Sequence, residues 1–98
     1  MSTEGKNWAW PPRIREVRDL MHAVRSGFEV VQLAQIDATC TSAAPAYALR
    51  RDGLQAPSHY LSAAVVTIAA RRGLLVLDES LQHEDGAVPF KLGPMAHP

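Results

Sequence analysis

The clearest hydrophobic pattern in the chain lies between residues 13 and 25, where apolar side chains recur at helical spacing. They form one stripe, made of Ile14, Val17, Leu20, Met21 and Val24, and most of the residues between them are charged or polar. Two prolines precede the stripe, and proline is tolerated in the first turn of a helix because its missing N–H has no partner there. Gly27 follows at the position of a C-cap. The pattern therefore predicts an amphipathic helix over 13–25.

The stretch that follows this helix is ambiguous. The sequence of residues 28–36, Phe-Glu-Val-Val-Gln-Leu-Ala-Gln-Ile, suits a short helix by the spacing of its apolar positions. Its β-branched pair and its length suit a strand equally well, and we favour the helix. A further helix is expected from about residue 43 to residue 52, because Pro45 falls in its first turn and Gly53 closes it.

A third helix is predicted over residues 59–72. Ser58 is a residue type that caps helix N-termini, and Gly73 supplies the next C-cap signal. Apolar side chains occupy nearly every side of this helix. Such a helix is usually central in a fold or buried at an oligomer interface, and its alanines permit close approach.

Two strands and a turn are predicted after the third helix. Residues 74–77, Leu-Leu-Val-Leu, have the composition of a strand, and residues 88–92 alternate apolar residues with others. Between them, the dipeptide Asp85-Gly86 is a strong hairpin signal, because a type I′ turn needs positive φ at both central residues. A turn there would place Leu81 opposite Phe90. The sequence shows no apparent internal repeat.

These elements predict a mainly α fold with a C-terminal β-hairpin, in one small domain. Ninety-eight residues suffice for a single modest core and leave no room for a second. We expect a flexible N-terminal arm over 1–12, the domain over 13–92 and a C-terminal tail over 93–98. Because exposed tryptophans are costly, at least one of Trp8 and Trp10 should dock on the domain or on a partner.

Charge and cysteine content narrow the function and the location. Ten Lys and Arg balance ten Asp and Glu, which argues against a general binder of polyanions. The longest apolar run, from Leu61 to Ala70, is interrupted by polar residues and falls well short of the roughly 18 residues that a membrane helix needs. No signal peptide is recognisable, and Cys40, the single cysteine, cannot form an internal disulfide. We expect a soluble cytoplasmic protein.

No constellation of residues predicts catalysis, a metal site or a cofactor. Cys40 has no motif around it that would mark a nucleophile, and we interpret it as a small buried thiol. The densest set of possible metal ligands, Asp78-Glu79 with residues 83–85, lies at a predicted hairpin tip, where charged residues are ordinary surface chemistry. We therefore do not expect an enzyme.

The order of elements from residue 43 onward is similar to that of a known superfamily. A helix ending in Arg50-Arg51-Asp52-Gly53 is followed by the helix that Ser58 caps, by Arg71-Arg72-Gly73-Leu74 and by the predicted hairpin. Over residues 43–92 this order resembles the winged helix-turn-helix superfamily, particularly regulators of the MarR type. The resemblance implies a dimeric transcriptional regulator that binds duplex DNA through a recognition helix over 59–72 and a wing tip over 78–87.

The resemblance also implies which residues contact DNA. Side chains on the groove-facing side of the recognition helix would contact base edges, and arginines at its end would contact phosphates; the set is His59, Ser62, Ala63, Val66, Thr67, Arg71 and Arg72. Two features oppose this function. The helix carries no Lys, Arg, Asn or Gln between Ser58 and Ala70, and the acidic wing tip would be repelled by phosphate.

A second register stays open beside the first. Residues 29–36 and 41–51 also resemble a helix-turn-helix, and this register would turn Tyr47, Arg50 and Arg51 toward nucleic acid. A basic face could also form from the arginines of the first helix, although Glu16 and Asp19 lie among them.

The alternative function is a non-catalytic module for protein–protein interaction or oligomerisation on the same scaffold. The third predicted helix and the tryptophans of the arm are the apolar surfaces that could bind a partner or a second copy. The candidate interface residues are Leu61, Val65, Val66, Ile68, Trp8 and Trp10.

Overall fold

Two helices and five strands make up the part of the chain that the computed structural model describes, residues 8–34 and 45–96. The helices are α1 (Val17–Arg25) and α2 (Ala63–Arg71), and two short 3-10 turns span Ser58–Tyr60 and Glu79–Leu81. The strands are β1 (Glu29–Gln32), β2 (Tyr47–Arg51), β3 (Leu54–Gln55), β4 (Leu75–Leu77) and β5 (Val88–Leu92). They form one sheet in the order β3-β2-β1-β5-β4, in which every neighbouring pair is antiparallel.

The prediction of a mainly α fold is wrong, because two segments expected to be helical are strands of this sheet. β1 lies within the helix expected over 28–36, and β2 covers the second half of the one expected over 43–52. The other parts of these two predictions, at residues 35–36 and 43–44, and the prediction of a buried thiol at Cys40 lie outside the described residues. The β-branched residues Val30 and Val31 are both buried, one on each face of the sheet, as in strands that are covered on both sides. Asp52 and Gly53 both have positive φ and turn β2 back into β3 as a two-residue hairpin, as a type I′ turn requires.

Both helices begin later than the sequence indicated. Ile14 and Leu61, which lie ahead of them, form an isolated parallel bridge, and this extended backbone delays the start of α1 to residue 17 and of α2 to residue 63. Ser58 opens a 3-10 turn and does not cap α2. The N-cap of α2 is Ser62, whose side chain makes no capping hydrogen bond.

β5 lies where the alternation of apolar residues predicted it, over 88–92, but the register of its pairing with β4 differs. Phe90 lies opposite Leu77, not opposite Leu81. Asp85-Gly86 does not form a type I′ turn, because positive φ is found at Gly86 alone of the two. Residues 78–87 form a long connection, and Ala87 packs with Val31 on the face of the sheet that carries no helix.

The core lies between the helices and the other face of the sheet. Its fully buried members come from α1, from α2 and from three strands, namely Leu20, Val66, Val30, Leu49 and Leu75. Both helices contribute to one cluster, and α1 contacts α2 directly. The whole described part of the chain therefore shares one main core.

α1 and α2 are the same local structure used twice, 46 residues apart, although the sequence showed no apparent repeat. Each helix has nine residues and a C-cap, Ser26 or Arg72, that is followed by a glycine with positive φ, Gly27 or Gly73. The two glycines thus end the helices as predicted, one residue beyond the C-cap. The closing hydrogen bonds correspond: the N–H of Phe28 donates to the carbonyl of Ala23, and that of Leu74 to the carbonyl of Ala69. Each helix then leads into a strand, and β1 and β4 run in the same direction because both are antiparallel to β5.

Candidate functional site

The residues predicted to bind nucleic acid fall into two separate sets. Two are in β2, Arg50 and Arg51, and the others follow the course of α2 and of the turn ahead of it, namely His59, Ser62, Thr67, Arg71 and Arg72. The Thr67 hydroxyl donates to the carbonyl of Ala63 at 3.0 Å, inside the helix. α2 lies beside α1 on the sheet, and the segment expected to be a wing tip folds back over the other face. Arg50 is paired with Asp85 of that segment, and Arg51 packs on Trp8 and Phe28.

Arg50 binds the 78–87 connection to the sheet through an ion pair. It lines an open cleft of about 740 Å³, where its Nη2 lies 2.7 Å from Asp85 Oδ2 and its Nε donates to Gln55 Oε1 at 2.9 Å. Arg50 and the backbone N–H of Ala87 both hydrogen-bond to Asp85 and lower the pKa of that carboxyl. Asp85 therefore stays ionised and paired at neutral pH.

A second pair of side chains lines the same cleft. His83 Nε2 lies 3.1 Å from Glu29 Oε2, so an imidazole from the connection meets a carboxylate from β1. Both pairs join the 78–87 connection to the sheet. Among residues 8–34 and 45–96, no group of three or more His, Cys, Asp or Glu side chains is placed to hold a metal ion.

Arg51 packs against the N-terminal segment. Its guanidinium lies 5.3 Å from the centre of a Trp8 ring and 5.0 Å from that of Phe28, distances typical of cation–π contacts. Trp8 Nε1 donates to Asp52 Oδ2 at 2.7 Å, and Trp8 also meets Trp10 edge to face. Both tryptophans thus dock on the domain, which is one of the two outcomes expected for them.

The candidate interface residues of α2 are mostly inside the protomer. Leu61, Val65 and Val66 belong to the core cluster, and none is more than 7% exposed. Ile68 is 40% exposed. A partner that contacts α2 without unfolding the domain can therefore reach Ile68 but not the other three.

β4 is an edge strand whose outer side has no partner among the residues that the structure describes. Leu74 and Asp78, which flank the strand, each form a backbone hydrogen bond with the chain of β5. Backbone groups of alternate residues point to the same side of a strand, so the N–H and C=O groups of Val76, midway between them, also point toward β5. The N–H and C=O groups of Leu75 and Leu77 therefore point away from β5. We call the outward backbone of Leu75–Leu77, together with the Val76 side chain, the β4 edge.

The β4 edge spans only three residues, but its side chains do not oppose strand pairing. Edge strands of monomeric proteins typically carry charges, proline or a bulge, whereas residues 74–77 are all leucine or valine. Val76 is 40% exposed. Other exposed apolar side chains lie on the elements around it, namely Ile68, Leu92 and Met95. The opposite edge of the sheet is the two-residue strand β3.

The two helices show which side of α2 is uncovered. Both bury equivalent positions against the sheet, Leu20 with Val66 and Ala23 with Ala69. α1 also buries or half-buries a further side, made of Val17, Met21 and Val24, whereas the equivalent positions of α2 are small and mostly exposed, namely Ala63, Thr67 and Ala70. α1 packs on α2, and on the opposite side of the two helices α2 buries Val65 where α1 exposes Asp19, so this further side of α1 is the one that faces α2. By the repeat, the same side of α2 faces away from α1, on the side of the β4 edge. We call it the uncovered side of α2.

Comparison of the chain with protein-family models, with curated proteins and with solved structures finds no match. Neither of the helices in residues 8–34 and 45–96 is long and apolar enough to cross a membrane.

Proposed function

We propose that this protein is a non-catalytic oligomerisation module that binds a second copy of itself along the β4 edge. The observation that carries the proposal is the repeat. The first repeated unit is α1 with β1, and the second is α2 with β4. In the first unit, the side of β1 that corresponds to the β4 edge is paired with β5, and the side of α1 that corresponds to the uncovered side of α2 is covered. In the second unit, the β4 edge and the uncovered side of α2 have no such cover among the described residues. We place the protein in the cytoplasm, because a chain with one cysteine needs no oxidising compartment.

The physical basis is strand addition. Outward N–H and C=O groups of an edge strand bind another strand, and apolar side chains beside them supply burial. A net contribution of about 0.5–1.5 kcal/mol per hydrogen bond adds to the burial of Val76 and its neighbours. No charged residue lies in 74–77 or at positions 63, 67 and 70, so two copies can meet there without like charges being brought together.

Val76→Glu should abolish self-association without harming the protomer. The new carboxylate lies directly opposite Lys91 in the ladder, which favours the isolated fold. At the interface, it brings like charges together and leaves a buried charge, and we expect the dissociation constant to rise at least about 100-fold. Sedimentation velocity over a range of concentrations measures the shift.

Leu54→Glu is the matched control on the other edge of the sheet. Leu54 is 48% exposed and also lies opposite a cation, Arg51, so the chemical change is the same. This variant should associate like the wild type. The proposal is wrong if the wild type sediments as a 10.7 kDa monomer at all concentrations, or if both variants weaken association equally.

Binding of duplex DNA by the outer surface of the helices is a second candidate. The observation that favours it is the distribution of charge: residues 13–25 and 59–72 hold six arginines and two acids, whereas residues 76–87 hold four acids and no Lys or Arg. A neutral protein can thus present a basic surface to phosphates. This version needs neither a recognition helix nor a wing.

Removal of Arg71 and Arg72 together should test the DNA candidate. Fluorescence anisotropy with a mixed-sequence duplex would show weaker binding at low salt, and a slope of log K against log salt that is smaller by about 1 for each arginine that contacts phosphate. Lys91→Ala, on the face without helices, removes one positive charge and should leave binding unchanged. No binding by the wild type at low salt would contradict this candidate.

A further inference from the structure

We infer that the second copy binds by a symmetric β4–β4 pair centred on Val76, which gives a closed dimer with one continuous ten-stranded sheet. The inference rests on the proposed function and specifies the geometry of the partner. It follows from the length of β4, from the direction of its outward backbone groups and from the short strand at the opposite edge of the sheet.

The register follows from the three residues of the strand. With Val76 opposite Val76 of the second copy, Leu75 of each copy lies opposite Leu77 of the other, and four backbone hydrogen bonds form. If one strand is shifted along the other by one residue, the outward N–H and C=O groups of one copy no longer lie opposite those of the other. A shift by two residues leaves fewer residues paired. The two Val76 residues then form a pair without direct hydrogen bonds, in which side chains come closest.

The symmetry of this pair brings the two helical layers together. The two-fold axis between antiparallel strands is perpendicular to the sheet, so both α2 helices lie on the same face. Each presents its uncovered side, Ala63, Thr67 and Ala70, toward the axis. Small side chains allow two helices to approach closely without clashes. The pairing thus adds helix contact to strand contact.

The opposite edge of the sheet favours closure over a filament. In a filament of protomers, β4 of each protomer would have to bind the strand at the opposite edge of the next protomer's sheet. There, the outer side of β2 is already paired with β3, and β3 offers only Leu54 and Gln55. Two β4 strands offer three residues each and are identical. Isologous pairing therefore uses more of the available backbone.

A disulfide at the axis tests the geometry. In a Cys40→Ser background, Val76→Cys places two thiols across a strand pair whose Cα atoms would be about 4.5 Å apart, within the range that a disulfide accepts. Under mild oxidation, most of the protein should become a covalent dimer on a non-reducing gel, at concentrations where the wild type is dimeric. Leu54→Cys in the same background should stay largely monomeric on the gel.

The outcomes separate this inference from the proposed function. If the wild type is dimeric and Val76→Glu dissociates it, but Val76→Cys does not cross-link and a nitroxide at position 76 shows no dipolar broadening between copies, the symmetric register is wrong and oligomerisation stands. Species larger than a dimer in light scattering would overturn closure alone. A monomeric wild type would overturn both.

Discussion

Leu20→Ala is expected to lower the free energy of unfolding by about 3–4 kcal/mol, the middle of the range for a fully buried leucine in a core that cannot collapse around the cavity. Leu20 is 0% exposed and packs in the cluster that α1 shares with α2 and with three strands. The loss should therefore shift the unfolding of the whole domain. For a domain of this size, it is a large fraction of the total stability.

Denaturant unfolding at a fixed protomer concentration measures this effect, since association also contributes to apparent stability. We expect one transition that moves as a whole, with Leu54→Ala, at an exposed position, changing the free energy by no more than about 0.5 kcal/mol. Two separate transitions, or a change below about 1 kcal/mol, would show that the two repeated units do not share one core.

Gly93→Ala should destabilise the protein by about 3 kcal/mol, at the upper end of the cost of an added methylene group in a packed site. A Cβ at this position would lie 2.3 Å from the carbonyl oxygen of Gly73, so the backbone itself must move. That carbonyl also accepts the N–H of Met95, and the Gly93 N–H donates to Leu74. The substitution therefore disturbs the turn that leads from α2 into β4.

Because this turn positions β4, Gly93→Ala should weaken self-association as well as stability. Thermal unfolding and sedimentation together measure the two effects. Gly53→Asn is the control: beyond the two neighbouring residues, no atom lies within 4 Å of a Cβ there, and asparagine tolerates positive φ. It should change stability by less than about 1 kcal/mol. Equal effects of the two substitutions would contradict the role given to the Gly73–Gly93 contact.

Local signals in the sequence predicted part of the fold. The alternation over 88–92 predicted β5, and glycines after the first and third helical patterns predicted the two helix ends at Gly27 and Gly73. These features depend on a few neighbouring residues, so a local pattern suffices. The bridge between Ile14 and Leu61 joins residues far apart in sequence, and for that reason the first turn of each predicted helix was wrong.

The central strands could not be recognised from propensity alone. Residues 43–52 include four alanines, the best helix formers, yet β2 pairs with β1 from Tyr47 to Arg50. The better signal was Asp52-Gly53, which predicts a two-residue hairpin and which we interpreted as the end of a helix. Pro89 cannot donate a backbone hydrogen bond and favours an edge strand or an outward-facing position, whereas β5 lies between β1 and β4.

The candidate site followed even less directly from the sequence. Val65 and Val66 were predicted at an interface, because an apolar helix can be either central or intermolecular, and here it is central. The β4 edge depends on which strands flank β4, and that order is set by the pairing of β1 with β5 across more than fifty residues. The repeat was the available signal: Ala-x-Arg-x-Gly occurs at 23–27 and again at 69–73.

Amide hydrogen exchange of β4, resolved by residue in the wild-type protein, tests the central claim most directly. The N–H groups of Leu75 and Leu77 point away from β5 and should exchange slowly at high protein concentration and fast on dilution, because a second copy protects them. The N–H of Val76, bonded to β5 within the protomer, is the internal reference and should change much less. Exchange at Leu75 and Leu77 that is independent of concentration would contradict self-association through the β4 edge.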